Sequence, residues 1–271
     1  MKRDDNPPKV HDTWASGELY EPYVGRWSRR VAAEFLDWLS VPINGRWLDV
    51  GCGTGALSET ILHNVSPKTV IGIDHSQAYI NFIRQKITDN RMTFNVGSAE
   101  SLEFSDGIFD AAVSGLVLNF VPHPDKAVAE MRRVTVSGGV VATYLWDYAG
   151  KMELMRYFWD AAISLDRTAL ELDEGRRFPL CQPQPLKQLF TSAGLRNVEV
   201  RAIDIDTIFS SFDDYWFPFL GGQGPAPSYA LSLTQEKRNE LREHIRNRLP
   251  IAEDGSIRLT ARAWGVRGVN V

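Results

Sequence analysis

The stretch Trp47 to Leu57, WLDVGCGTGAL, carries the residues best placed for chemistry. A strand-like run, Trp47-Leu48-Asp49-Val50, enters three glycines at alternate positions: Gly51, Gly53 and Gly55. A helical pattern of Ala56, Leu57, Ile61 and Leu62 follows at once. Glycines so placed let the backbone turn sharply and come closer to a ligand than a Cβ allows. The helix N-terminus beyond them offers unpaired N–H groups. This chemistry is the binding of a nucleotide-type cofactor by main chain.

Asp49 lies two residues before Gly51. An acid there would repel a pyrophosphate and suits an ammonium group. The G-x-G-x-x-G spacing of a dinucleotide site and the lysine of a P-loop are both missing. A second acid, Asp74, ends the β-branched run TVIGID, 19 residues after Gly55. An acid at the tip of a second parallel strand accepts hydrogen bonds from ribose hydroxyls. The competing reading is that Asp74 caps the next helix together with Ser76.

Positioning these groups takes an alternation of strands and helices. Strands are expected at about 46–50, 69–74, 92–96, 109–114 and 138–146, and helices at about 55–65, 76–88 and 124–134. The fold class is α/β: a doubly wound, Rossmann-like, mainly parallel seven-stranded sheet with helices on both faces and an inserted cap. Residues 1–18 read as a disordered tail, rich in charge and proline. Residues 19–44 read as a helical segment closing the cofactor site, with Val31, Phe35, Trp38 and Leu39 on one face. The main domain is 45–271, with cap insertions at about 151–180 and 210–250. Within it, 151–168 and 234–248 have helical periodicity, and a further helix begins near Pro185 and ends at Gly194. Strands six and seven are placed at 198–209 and 259–265.

Read in order, the motifs resemble those of the class I S-adenosylmethionine-dependent methyltransferases, of the type 11 kind. DVGCGTG resembles the first motif and IGIDHS (71–76) the second. NVGSAESLEFSDGIFD (95–110) is similar to the third region, FDAAVSGLVLNFV (109–121) to the fourth, and VTVSGG (134–139) to the turn before strand five. The likeness covers about 45–147 and leaves both flanks unassigned. It implies S-adenosylmethionine as cofactor. Gly51, Cys52, Gly53 and Thr54 would line its methionine end through the backbone, and Asp49 would balance the ammonium. Asp74 would hold the ribose, with His75 or Ser76 beside the adenine. Ser98 and Ala99 would meet the adenine edge. Relatives often carry an aspartate where Ser98 stands, so Glu100 is an alternative partner for the exocyclic amine. Ser114 and Gly115 would pass beside the sulfonium. Tyr20 or Arg26 would meet the cofactor carboxylate, the other reading of Arg26 being a solvated helix face.

The acceptor side is less legible. Methyl transfer from a sulfonium is an in-line displacement with a neutral leaving group, so positioning and exclusion of water are the protein's main tasks. The (Asn/Asp)-Pro-Pro-(aromatic) turn of many nitrogen methyltransferases is replaced here by Ser114-Gly115-Leu116-Val117. Candidate bases are His123, in Pro122-His123-Pro124, and Asp147 and Tyr148 after strand five. Each has a structural alternative: a solvated loop histidine, or a cap for the following turn. Trp27, Trp146, Phe158, Tyr215 and Trp216 would form an aromatic acceptor pocket if the insertions fold over the strand ends, or would simply fill the core. Two other readings stay open: a nicotinamide-dependent oxidoreductase, and a non-catalytic cofactor-binding scaffold of the same fold.

Composition agrees with an ordinary soluble globule: 271 residues, 44% hydrophobic and 24% charged. The net charge of −4 argues against a nucleic-acid backbone as partner. No apolar run has the length of a membrane span, and the polar start MKRDDNPPKVHD does not read as a signal peptide. The cytoplasm is the expected compartment, and a small molecule the expected substrate. The two cysteines, Cys52 and Cys181, suggest neither a disulfide framework nor a metal site. Oligomeric state is not legible.

Overall fold

The structure is a computed structural model that describes residues 21–39, 41, 43–221 and 224–271. Tyr20, the 1–18 tail and Gly222 lie outside the described residues. The chain divides into two compact units. The sheet unit comprises Val24–Asp147, Leu180–Ile205 and Arg262–Val271. The second unit comprises Tyr148–Pro179 and Asp206–Ala261, with the described residues up to Tyr23.

A single π turn, Glu21–Gly25, leads into α1 (Arg26–Leu39). This helix buries Trp27, Val31, Ala32, Phe35, Leu36 and Leu39, a stripe at i, i+4, i+8 spacing. β1 (Arg46–Val50), α2 (Ala56–Asn64), β2 (Thr69–Asp74), α3 (Gln77–Lys86) and β3 (Met92–Val96) follow. β4 (Phe109–Gly115), α4 (Pro124–Val134) and β5 (Thr135–Trp146) come next. The expected boundaries hold closely here because each element is bounded by its own punctuation. Ser76 N-caps α3, and Pro124 occupies the first turn of α4. β5 starts earlier than expected. The strand-like lead-in Thr135–Gly139 pairs at Thr135 with Phe109, and a register shift between Phe109 and Ala111 absorbs the irregularity.

The strands are ordered β3-β2-β1-β4-β5-β7-β6, with β6 spanning Arg196–Phe209 and β7 Ile257–Val269. β1, β2, β3, β4 and β5 pair in parallel, and β7 runs antiparallel to β5. β1 is fully flanked, by β2 and β4, and its interior is apolar except for Asp49. The chain steps one way from β1 to β3 and the other way from β4 onward. Right-handed crossovers therefore place α2 and α3 on one face and α4 on the other. The direction reverses between β1 and β4, the place at whose carboxyl ends open α/β sheets bind ligands.

The second unit is built on aromatic packing. Its elements are α5 (Glu153–Leu165), the one-turn α6 (Glu174–Arg177), α8 (Phe212–Trp216), α9 (Pro225–Ser232) and α10 (Gln235–Arg246). (α7, Pro183–Ser192, belongs to the sheet unit.) Phe158 stacks on Phe219 with ring centroids 4.6 Å apart, and Tyr23 and Tyr215 meet Phe219 at 5.4 Å. Such pairs add about 0.5–1.5 kcal/mol beyond their burial. Sequence periodicity gives α5 and α10 but not α9. In the stretch GPAPS the prolines read as a loop, yet Pro225 and Pro227 sit in the first turn, where a missing N–H costs nothing. No described helix is long and apolar enough to cross a membrane.

Candidate active site

The glycines of the loop after β1 serve different purposes. A Cβ at Gly51 would lie 2.5 Å from the Val117 side chain, and one at Gly55 would strike Ile83. Both are demanded by internal packing as well as by positive φ. At Gly53, with φ +50, a Cβ would meet nothing within 4 Å. Only this glycine opens onto free space where a ligand can approach the main chain. The first two loop N–H groups, of Gly51 and Cys52, already donate to the Ile73 carbonyl at 2.7 and 2.9 Å. They fasten the loop to β2. The Cys52 side chain packs against Ile80, Ile83 and Phe94, and burial raises its thiol pKa well above the usual value.

Asp74 ties the loop tip to β2. Its Oδ2 accepts the Gly53 N–H at 2.9 Å and its Oδ1 the Ser76 N–H at 2.8 Å. A carboxylate has about four acceptor sites, so two backbone bonds leave room for ribose hydroxyls. Ser76 is the N-cap of α3, its hydroxyl accepting the Tyr79 N–H. The cap of α3 is thus carried by Ser76 and not by Asp74. The His75 side chain is 90% exposed.

Asp49 is the most unusual group in the sheet unit. It is 1% exposed. Its Oδ2 accepts the Ser58 hydroxyl at 2.6 Å, while its Oδ1 is buried with no hydrogen-bond partner. Burial raises its pKa to about 7, opposed by the bonds from Ser58 and reinforced by the Asp74 charge. A buried carboxylate oxygen left orphaned is costly unless a ligand completes it. The donor it lacks is what an ammonium group supplies.

The end of β4 contributes two more incomplete groups. The Ser114 hydroxyl is fully buried and unpartnered. Leu116 then adopts φ +62, a left-handed conformation uncommon for leucine. It turns the chain into the 3₁₀ segment Leu118–Phe120, where Asn119 Nδ2 is buried with no partner. Sequence reasoning missed Asn119. The available signal was an amide in an otherwise apolar run, LVLNFV, just past a strand end. Val117 from this segment rests on Gly51, so the turn is seated on the cofactor loop.

The remaining expected residues fall as follows. Ser98 is exposed and accepts the Glu100 N–H at 3.2 Å, and Ala99 beside it is half-buried. Glu100 Oε1 accepts the His123 N–H at 3.1 Å, which links the segment after β3 to the start of α4. His123 is the exposed N-cap residue of α4 and makes no side-chain capping bond. Gly115 closely faces Tyr144, whose hydroxyl would be 2.6 Å from a Cβ there. Thr54 is buried. Arg26 is half-buried, its guanidinium 4.5 Å from the centre of the buried Trp27 ring. Asp147, just beyond the end of β5, is buried and donates its N–H to the Arg262 carbonyl at 2.9 Å. Trp146 is buried in the sheet unit. In the second unit Tyr148, Phe158, Tyr215 and Trp216 are buried, the last three among other aromatic rings. That unit also has a cleft of ≈ 500 Å³ whose charges are largely paired, Arg156 with Asp160 and Asp173.

A family model described as "Methyltransferase domain" matches residues 48–143, which run from β1 into β5 and hold every group of the loop. Over residues 48–143 the chain is similar to that family. The motifs imply S-adenosylmethionine as its cofactor. The demethylmenaquinone methyltransferase of Roseiflexus castenholzii is 29% identical over 177 residues, 60% of this chain and 73% of that protein. The demethylmenaquinone methyltransferase of Renibacterium salmoninarum is 34% identical over 146 residues, 52% of this chain and 56% of that one. The chain spans little more than half of this second relative. Phosphoethanolamine N-methyltransferase 2 of Haemonchus contortus, solved with S-adenosyl-L-methionine, shares the fold with a TM-score of 0.59. It is 16% identical, over 97% of this chain and 58% of that one. The residues of this domain fit the cofactor. Asp49 offers an unsatisfied anion for its ammonium, Asp74 spare acceptor sites for its ribose, and Gly53 an open approach.

Proposed function

We propose that this protein transfers a methyl group from S-adenosylmethionine to a small-molecule acceptor. The observation that carries the reading is the orphaned Asp49 Oδ1 beneath a loop whose middle glycine faces open space. The cofactor, when bound, supplies a methyl group already activated on a sulfonium. Asp49 holds the cofactor's ammonium, Asp74 its ribose, and Glu100 or the Ser98–Ala99 backbone its adenine. Ser114 and Asn119 line the reacting side and offer a hydroxyl and an amide to the acceptor. Asp147, buried at the end of β5, takes the acceptor's proton where one must leave. His123, on the surface, is the weaker base. Positioning carries most of the rate, since holding reactants in line is worth several kcal/mol.

The acceptor is small and partly apolar. This reading is supported by the relatives named for demethylmenaquinone and phosphoethanolamine. The net charge of −4 speaks for a partner other than nucleic acid, and the protein acts in the cytoplasm. Calorimetry with S-adenosylhomocysteine and with NAD tests the cofactor. Methyl-labelled S-adenosylmethionine with naphthoquinols, phosphoethanolamine and simple phenols tests the transfer. Binding of NAD in preference to S-adenosylhomocysteine would overturn the reading in favour of an oxidoreductase. Cofactor binding with no transfer to any member of a wide acceptor panel would favour a scaffold.

A further inference from the structure

We propose that cofactor binding is coupled to release of a proton from Asp49: burial without ligand favours the neutral carboxyl, and the incoming ammonium favours the ionised one. The inference rests on the cofactor reading above and adds a regulatory consequence. Asp49 sits in the middle of the sheet, flanked in register by Gly72 of β2 and Val113 of β4, neither of which carries charge. From α2 it faces Ser58, which supplies its hydroxyl and its backbone N–H. The charged group acting on it is Asp74 at the end of β2, of like sign, and the titratable Cys52 thiol lies on the loop. Among the described residues, the groups that act on it include no cation. One oxygen is satisfied and the other is not. A buried anion in such surroundings keeps its proton until a counter-ion arrives.

Burial lifts this carboxyl to about 7, so the proton is present or absent within the physiological range. The ammonium of S-adenosylhomocysteine, which lacks the sulfonium charge, stays protonated over that range and pairs with the ionised acid alone. Ligand binding therefore competes with a proton, and affinity rises with pH. With half-ionisation near 7, affinity for S-adenosylhomocysteine should be about tenfold higher at pH 8 than at pH 6. Proton release per ligand should be about 0.9 at pH 6, about 0.5 at pH 7 and about 0.1 at pH 8.

The test is titration calorimetry of the full chain with S-adenosylhomocysteine at these three pH values. Each is run in two buffers of different ionisation enthalpy, so that released protons are counted directly. The expected result is the rise in affinity with its matching proton release. Asp49→Asn should bind more weakly, with no pH dependence and no proton release. Ser58→Ala removes a donor to the ionised form, so its transition should move to higher pH. Equal wild-type affinity at pH 6 and 8 without proton release would overturn the coupling while leaving the cofactor reading intact. No binding at any pH would overturn both. A persisting pH dependence in Asp49→Asn, or an unmoved transition in Ser58→Ala, would assign the proton to another group and overturn the proposal.

Discussion

The Gly53 N–H donates to Asp74 Oδ2 at 2.9 Å, so the acid that ends β2 holds the tip of the loop that follows β1. The residue expected to bind the ribose also shapes the main chain beside it. Its removal acts twice, once on the ligand and once on the loop.

Asp74→Ala should weaken S-adenosylmethionine binding by at least about 1.5–3 kcal/mol, the range for hydrogen bonds to a charged group. It should also lower folding stability by about 1 kcal/mol, because the half-buried Gly53 and Ser76 N–H groups lose their acceptor. Asp74→Asn keeps one acceptor oxygen and should lose less of both. Calorimetry and urea unfolding on the two variants measure the effects. Unchanged affinity in Asp74→Ala would remove this residue from the ribose.

Gly53→Val should abolish cofactor binding with a limited loss of fold. A Cβ there meets no protein atom within 4 Å. The cost to folding is the left-handed conformation itself, about 1–2 kcal/mol. Gly51→Ala should be worse for folding, because its Cβ collides with Val117. The ordering of the two variants in thermal unfolding, set against their binding of S-adenosylhomocysteine, is the check. A Gly53→Val protein that binds normally would mean that the loop does not cradle the ligand.

These two glycines show where the sequence was legible and where it was not. Alternation of apolar strands with capped helices located β1 to β4 and α4 almost to the residue, because local propensity and burial agree there. The spacing of Gly51, Gly53 and Gly55 marked the loop but not the reason for each glycine. Val117 and Ile83 come from distant parts of the chain, and nothing local foretells that they press on the loop. The place of Asp49 before the loop was legible. Its single unsatisfied oxygen was not, since Ser58 reaches it only once α2 has formed. Asn119 was hidden for a related reason. An amide in an apolar run reads as a surface residue until a turn buries it. The aromatic residues of 151–180 and 210–250 were recognised as a group. Their distribution among core and pocket depends on packing that periodicity does not encode.

Asn119→Ala should leave stability within about 0.5 kcal/mol of wild type, or slightly raise it. The buried Nδ2 makes no protein hydrogen bond, so truncation removes an unsatisfied group rather than a contact. Methyl transfer, once an acceptor is in hand, should fall at least about tenfold, the loss of one hydrogen bond made at the reacting side. Binding of S-adenosylhomocysteine should be nearly unchanged. Denaturant unfolding and calorimetry separate these effects. A marked loss of stability with normal turnover would make Asn119 a structural residue.

The second unit carries a pH-dependent liability of its own. Glu174 is 2% exposed and accepts the Trp159 Nε1–H within an aromatic core. Burial raises its pKa to about 8 from 4.5, with Asp173 adding to the rise and the Trp159 bond and Arg177 opposing it. The folded chain therefore holds a proton that the unfolded chain has released between about pH 4.5 and pH 8. Stability falls as pH rises through that window and is level above it. Asp49 acts in the same direction over a narrower range, up to about pH 7. Glu174→Gln keeps an acceptor for Trp159 but cannot ionise. It should match wild type near pH 4 and exceed it by about 2–4 kcal/mol at pH 9, less than the full shift because buried sites relax. Urea unfolding at both pH values measures the difference. Parallel stability curves for the two proteins would mean that Glu174 ionises as freely in the folded chain as in the unfolded one.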